Sequence, residues 1–364
     1  MKRVALLLIV FTTFLSANSF FKKVSASEYS LTIFVGDNKY IYYYPEIYLK
    51  EGTYYLRDKE GKIDRIVRDS YEFARNARVI ASSIKDVKII PEKIGKRVDG
   101  NFLSTQIDTA LKRGESKINA IFKYVYPEVT SAYVNRCLYK RGSFTTNLGF
   151  SSAERRQNIL LACSKINGTI LFSGEEFSFN KVVGKRTQEN GYKNAKVIKD
   201  GQFIEGVGGG VCQVSTTLYN SVLLSGLKVS EYHPHSLAVG YVEKSFDAMV
   251  TDLWADLRFI NNTNGLLFLF ASVENDLLNI SICGTEQKYS YKRESVIEEE
   301  IFPEDKIELV GGLLKGERVK KVIGKSGFKS KGYLCKYYKG VLVEKELIRV
   351  DEYKKIDNLI LQGG

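Results

Sequence analysis

The chain has 364 residues, 44% hydrophobic and 26% charged, a composition that excludes a disordered or low-complexity protein and leaves room for two or three domains. Lys and Arg outnumber Asp and Glu by 54 to 42, so the formal charge of +12 favours anionic partners. No Walker loop, zinc-ligand spacing or aromatic RNA-binding signature accompanies that charge, and the expectation is no nucleic-acid partner, no metal and no cofactor.

At the N-terminus Lys2 and Arg3 precede an apolar run from Val4 to Leu15, which has the length of a signal-peptide core and is short for a membrane span. Cleavage is expected after Ala26, with Ala17 as a second option. An uncleaved anchor from Val4 to Phe21 is the alternative, because Lys22 and Lys23 sit awkwardly inside a cleavage region. Either way the body is expected outside the cytoplasm, secreted, wall-associated or anchored, touching the membrane only through this segment.

Residues 29–68 read as strands and turns, with Phe34, Tyr40, Tyr42, Tyr43 and Tyr44 separated by Gly36-Asp37 and Gly52. Residues 69–84 read as a helix through Tyr71, Phe73, Ala74 and Ala77, and Lys88-Ile89-Ile90 opens a strand. Residues 101–112 read as a second helix, because Leu103, Ile107 and Leu111 recur every fourth residue and Gly114 follows. Ile118 to Ile121 alternates like a strand. Further on, Ser151-Ser152-Ala153-Glu154 is a capping box opening a helix to about Ile166, stopped by Asn167-Gly168. A hairpin is expected around Asp200-Gly201. From residue 266 to the end, alternating apolar strands return.

The central segment carries the most specific pattern. Gly174-Glu175-Glu176-Phe177-Ser178-Phe179-Asn180 is followed by Val183-Gly184, Glu189-Asn190-Gly191-Tyr192 and Gly208-Gly209-Gly210-Val211-Cys212-Gln213-Val214-Ser215-Thr216-Thr217-Leu218-Tyr219-Asn220. It closes with His233-Pro234-His235-Ser236, Asp247-Ala248, Asp256-Leu257-Arg258-Phe259 and Asn261-Asn262-Thr263. In this order and spacing the set resembles the VanW family, over about a third of the chain. The run from Ile90 to Asp99, then a helix, a strand and Tyr126-Pro127, resembles a peptidoglycan-binding domain that often precedes such a segment. Gly316, Gly324, Gly327 and Gly363-Gly364, set among Tyr333, Tyr337, Val341 and Tyr353, resemble the small all-β five-glycine domain that can follow it. These resemblances imply a multidomain α+β protein. Its expected parts are a signal or anchor at 1–26, a peptidoglycan-binding α+β domain at 27–135, a VanW-like mixed domain at 136–265 and a β-rich region at 266–364. They also imply a cell-envelope protein whose partner is peptidoglycan or an anionic wall polymer.

Residue chemistry points to one site without the family. Three glycines permit a tight turn and a close backbone approach. Val214, Leu218 and Val222 then mark an amphipathic helix beginning near Cys212 and ending at Gly226. A thiol at a helix N-terminus lies near unpaired N–H groups and the positive dipole end, which favour the thiolate. The chain's two histidines, His233 and His235, flank Pro234 after this helix, and His235 is the favoured base with His233 the alternative. Asp247 and Asp256 are available to orient an imidazole, and Gln213 with helix N–H groups to bind an oxyanion. Gly208, Gly209, Gly210, Ser215 and Arg186 are the candidate ligand contacts, and Arg155 and Arg156 are further cations suited to a carboxylate or phosphate. The opposing reading is structural: the glycines pack a helix close to a sheet, Cys212 fills a small hole, Ser215 packs within its helix, and the arginines make ion pairs. His-Pro-His lacks a third nearby ligand for zinc. Two functions therefore stand side by side, a thiol-dependent hydrolase or acyltransferase on peptidoglycan peptides and a non-catalytic wall-binding protein.

Overall fold

The computed structural model describes residues 25, 27–83, 86–199 and 201–364, which fall into two compact units. The expected export segment and both of its cleavage sites lie at residues outside the described ones, Ser25 excepted. Among the described residues no helix is long and apolar enough to cross a membrane. Helices are interleaved with several small sheets, a multidomain α+β architecture.

The first unit takes the residues up to Arg75 and Lys93–Pro127. Its largest sheet has Leu31–Val35 at the centre, antiparallel to Asn38–Tyr42 and parallel to Lys117–Asn119. Helices α1 (Lys59–Asp69) and α2 (Gly100–Arg113) bury Ile63, Ile66, Leu103, Ile107 and Leu111 in a core with Leu31 and Ile33. Asp99 caps α2 by accepting the Phe102 N–H at 3.1 Å, and Gly114 closes it at φ 69°.

The helix expected over 69–84 is not there. The helical face lies upstream, where Ile63 and Ile66 give α1 its buried stripe. Beyond Asp69 the backbone turns to pairing with a later segment of the same chain: Glu72 donates to the Lys96 carbonyl at 2.8 Å and Arg75 to that of Lys93 at 2.9 Å. Arg78–Ser83 then pairs with Asp86–Ile90 as an antiparallel hairpin. Tertiary hydrogen bonding overrides the weak local preference of this run.

The second unit takes Asn76–Glu92 and Glu128–Gly364. After a short α3 (Ser131–Arg136) comes an antiparallel sheet ordered Tyr139–Asn147, Leu277–Gly284, Leu267–Glu274, Thr169–Leu171. Alternate residues of Leu267–Glu274 serve different cores, as the two-residue strand period requires. Leu267, Leu269 and Ala271 face the main core with α4 (Ala153–Ile166) and α6 (Val211–Leu224), while Phe268 and Phe270 join Ala77, Val129, Cys137 and Cys283. A short α5 (Phe179–Val183) lies between those two helices in the chain.

Helix α6 differs from the one-sided amphipathic helix expected from Val214, Leu218 and Val222. From Gln213 to Leu223 every residue is buried. Its polar residues are accommodated by bonding: Thr217 shares a 2.8 Å hydrogen bond with Thr146, Ser221 donates to Ile280 O at 2.8 Å, and Asn220 to Phe246 O at 2.8 Å.

The chain ends in two three-stranded sheets, ordered Ser290–Ile301, Gly327–Tyr338, Val341–Tyr353 and Asp305–Lys315, Asn358–Gly363, Arg318–Val322. Most of their residues are exposed or half-buried. Near the end of Val341–Tyr353, however, Arg349, Asp351 and Tyr353 share one face and are all buried.

Candidate active site

The site starts at the glycine turn before α6. Gly208 and Gly210 take φ of 84° and 107°, which L side chains rarely adopt. Gly209 is required for a different reason: a Cβ there would lie 2.7 Å from backbone atoms of Ala195 and Lys196 in the hairpin strand Asn194–Lys199. The fully buried Asn158 of α4 fastens the turn, donating to Gly209 O at 3.0 Å and Lys193 O at 2.9 Å. Gly210 is the N-cap of α6, so Cys212 lies in its first turn. The flanking amides of Val211 and Gln213 donate to Gly208 O and Gly210 O at 3.1 and 2.9 Å. Among the described residues the Cys212 amide has no hydrogen-bond acceptor.

Cys212, His235 and Asp247 meet at this turn. His235 Nδ1 lies 2.6 Å from Asp247 Oδ2, which also accepts the His235 backbone N–H at 2.7 Å. The other ring nitrogen, Nε2, is thereby left free of Asp247, and His235 and Cys212 interact closely enough to shift each other's ionisation. The sulfur is also 3.5 Å from Val250 O, an acceptor for the S–H of the neutral thiol. Asp247 is brought here because Ala248 is tied to α6, its carbonyl accepting from Ser215 at 2.6 Å and its N–H donating to Thr216 at 2.9 Å.

Burial opposes every charge in this trio, and hydrogen bonds and opposite charges overcome it. Burial pushes the Cys212 thiol up, but the His235 hydrogen bond and charge, with help from Arg186, bring it below the ordinary thiol value. Burial pushes His235 down, while Asp247 and Cys212 lift it to about 9. Asp247 is held at about 2 despite burial, by His235, Arg349 and Tyr353. The other four cysteines go the opposite way. Burial raises Cys163 to about 12 and Cys283 to about 11, and it raises Cys137 and Cys335 as well. Both shifts favour the thiolate–imidazolium form of the pair over the neutral one.

The far side of Asp247 is held from the C-terminal strand Val341–Tyr353. Tyr353 donates its hydroxyl to Asp247 Oδ1 at 2.6 Å, and Arg349 reaches Oδ1 at 3.3 Å and the Asp247 carbonyl at 2.6 Å. Tyr353 in turn accepts the Ser245 N–H at 2.8 Å, and Arg349 Nε pairs with Asp351 at 2.7 Å. Sequence reasoning missed both residues. Their signal is present, since the alternating Arg349, Asp351 and Tyr353 put three polar side chains on one strand face that has to be buried and satisfied together.

Several expected contributors are engaged elsewhere. His233 points to Glu231 at 3.0 Å and packs edge-on against Trp254, so it is not the ring beside Cys212. Asp256 accepts from Ser178 at 2.6 Å and from the Asn180 N–H at 2.9 Å, forms an ion pair with Arg258 at 3.1 Å, and orients no imidazole. Gln213 is not an oxyanion donor: its amide donates to Thr146 and Asn147 O, its backbone N–H is taken, and its Oε1 accepts from Arg155 at 2.7 Å. Ser215 is fully buried and donates to Cys212 O and Ala248 O, which makes it a structural tie rather than a ligand contact. Arg186 is spent on Asp252 at 2.7 Å and Asn180 at 2.7 Å, and Arg156 pairs with Asp276. Among the described residues no cluster of three His, Cys, Asp or Glu side chains is arranged to hold a metal ion.

Cys212 and His235 open onto a cavity of about 1100 Å³, large enough for a peptide segment. The glycine turn, Arg155, Phe203 and Tyr241 also line it. Burial and then the nearby Cys212 and Asp247 charges push the Tyr241 phenol far up, so it stays protonated.

Residues 154–283 match the family model described as VanW like protein, and a VanW-like domain is present there. A protein of Bacillus subtilis called uncharacterized protein YoaR is 37% identical over 178 residues, covering 48% of this chain and 59% of that one. The vancomycin B-type resistance protein VanW of Enterococcus faecalis is 26% identical over 145 residues, covering 36% of this chain and 51% of its own length. The chain thus spans little more than half the length of these curated relatives. Among solved structures, the G5 domain of HP0197 and the G5 domain of an IgA1 protease each show 18% identity over 21% of this chain. They are covered to 100% and 89%, with TM-scores of 0.15 and 0.17.

Proposed function

We propose that this chain, through its VanW-like domain, is a thiol-dependent acyl-transfer enzyme of the bacterial cell wall, acting on an amide bond in peptidoglycan peptides. The observation that carries the reading is the Cys212–His235–Asp247 arrangement, with His235 Nδ1 2.6 Å from Asp247 and Nε2 left free of it. The Cys212 thiolate attacks the carbonyl carbon, and the Cys212 amide is placed to receive the developing oxyanion. The C–N bond then breaks as His235 Nε2–H protonates the departing amine, leaving a thioester on Cys212. Water or an acceptor amine attacks that thioester, gives its proton to Nε2 and restores the thiolate. Asp247 holds the ring and stabilises the imidazolium throughout.

The wall as the place of action is supported by the export-type N-terminus, by the relative named for vancomycin resistance and by the +12 charge, which suits anionic polymers. The peptidoglycan-binding reading of the region around residues 90–127 belongs to the same proposal.

The test is to incubate purified peptidoglycan with the full chain or with Cys212→Ala and to read the muropeptides by mass spectrometry. The enzyme reading expects wall peptides cleaved or exchanged by the wild type alone. Equal products from Cys212→Ala would rule out Cys212 as the nucleophile, and no products from a wild type whose Cys212 is unreactive would leave a non-catalytic wall-binding protein instead.

A further inference from the structure

Four arginines stand near the candidate site, and the structure separates them: Arg349 is paired with Asp247 and Asp351. Arg156 is occupied by Asp276 and by the carbonyls of Gly149 and Ser151, and Arg186 by Asp252 and Asn180. Arg155 is different. Its side chain donates from Nη2 to the neutral Gln213 Oε1 at 2.7 Å, and among the described residues no carboxylate lies within ion-pair distance of it. It is half-buried, and it lines the same cavity as Cys212. A Cβ on Gly210 would meet Arg155 Nη1 at 2.7 Å, so the guanidinium lies against the turn that presents the sulfur. Glu154, Lys196, Glu205 and Lys325 also line the cavity but are exposed and screened by water.

We infer that Arg155 is the anion-recognition residue of this cavity and that the substrate carries a carboxylate close to the bond attacked by Cys212. The inference rests on Cys212 being the nucleophile and adds the chemical class of what it attacks. A guanidinium has five N–H donors in a planar fork, and Gln213 occupies one of them, which leaves a pair for a bidentate carboxylate. Gln213 fixes the fork without neutralising it, because its oxygen accepts a hydrogen bond and carries no charge. Desolvation lowers the pKa of Arg155, and the nearby Tyr241 and Cys212 offset part of that shift. A free peptide C-terminus or a side-chain carboxylate of the peptide would meet this requirement, and a fully amidated peptide would not.

Iodoacetate and iodoacetamide are suitable probes, since they alkylate the same sulfur and differ in bearing a carboxylate or a neutral amide. The ratio of their rate constants at Cys212 cancels any change in thiolate content, so its change between variants reports the carboxylate attraction of the altered residue. Wild type is expected to favour iodoacetate over iodoacetamide relative to the same chain unfolded in urea. Arg155→Gln should lower the ratio by about tenfold, the scale of one charged hydrogen bond, while Arg155→Lys keeps part of it and Lys325→Gln leaves it near wild type. If Arg155→Gln does not fold, the Lys variant decides, because it keeps the charge and loses the fork. A wild-type ratio equal to that of unfolded chain, or one indifferent to both Arg155 variants, overturns the inference while leaving the nucleophile reading intact. Failure of both reagents at Cys212 overturns both.

Discussion

The carboxylate of Asp247 accepts a 2.6 Å hydrogen bond from the hydroxyl of Tyr353, 106 residues further along the chain. Through it, the residue that holds His235 is itself held by a strand of the C-terminal sheet. The boundary expected at residues 265 and 266 is therefore crossed by hydrogen bonds at the heart of the site.

Tyr353→Phe removes a donor from Asp247 and an acceptor from the Ser245 N–H, and should cost about 1–3 kcal/mol in urea unfolding. Arg349→Met is expected to cost more, about 3–5 kcal/mol, because it leaves the buried Asp247 and Asp351 carboxylates without their cation. Both variants should also slow alkylation of Cys212. Stabilities within about 0.5 kcal/mol of wild type, the range of ordinary surface changes, would show that these bonds do not matter.

The two histidines should separate cleanly. His235→Ala is expected to slow Cys212 alkylation at pH 7 by about 100-fold, the lower scale for losing a positioned acid–base group. His233→Ala should leave it unchanged, since His233 faces Glu231 and Trp254. Stopped-flow or timed-quench labelling distinguishes them, and equal effects would mean that the imidazole assignment is wrong.

Asp247 gives a pH dependence of defined sign. Its carboxyl is held at about 2 against an ordinary 3.8, so its folded value is depressed. The stability it contributes is present above about pH 3.8 and is lost as pH falls through about 2, on the order of 2 kcal/mol in all. Urea unfolding of wild type and Asp247→Asn between pH 5 and pH 2 should show the gap between them closing as pH falls. A constant gap would contradict the strong pairing of Asp247.

Gly209→Ala tests the turn without touching a titratable group. The new Cβ meets backbone at 2.7 Å, which cannot move as a side chain can, so the hairpin and α6 have to separate. A loss of about 1–3 kcal/mol, the usual scale of overpacking, is expected together with slower labelling of Cys212. Unchanged melting and labelling would mean that the turn has slack.

What the sequence made legible was local. The glycine turn and Cys212 lie within five residues, α2 carries its own periodicity and caps, and Ser152 announces α4, so each could be read from neighbours alone. The helix misplaced to 69–84 failed because that stretch is shaped by distant partners, Lys93 and Lys96. The same limit applies in the site. Nothing near Asp247 or Asp256 tells which one faces an imidazole, and nothing near Gln213 shows that Thr146, Asn147 and Arg155 use up its amide. Arg349 and Tyr353 went unseen because strand pairing, not spacing, carries them to Asp247.

The central claim is that Cys212 is an activated nucleophile, and the pH profile of iodoacetamide labelling, resolved by mass spectrometry for all five cysteines of the folded chain, tests it most directly. Cys212 should label with a midpoint well below the ordinary thiol value of about 8.5, and His235→Ala should move that midpoint upward. Cys137, Cys163, Cys283 and Cys335, all buried, should label only when the chain unfolds. A Cys212 that labels only on unfolding, or with the midpoint of a free thiol in the folded chain, would contradict the account.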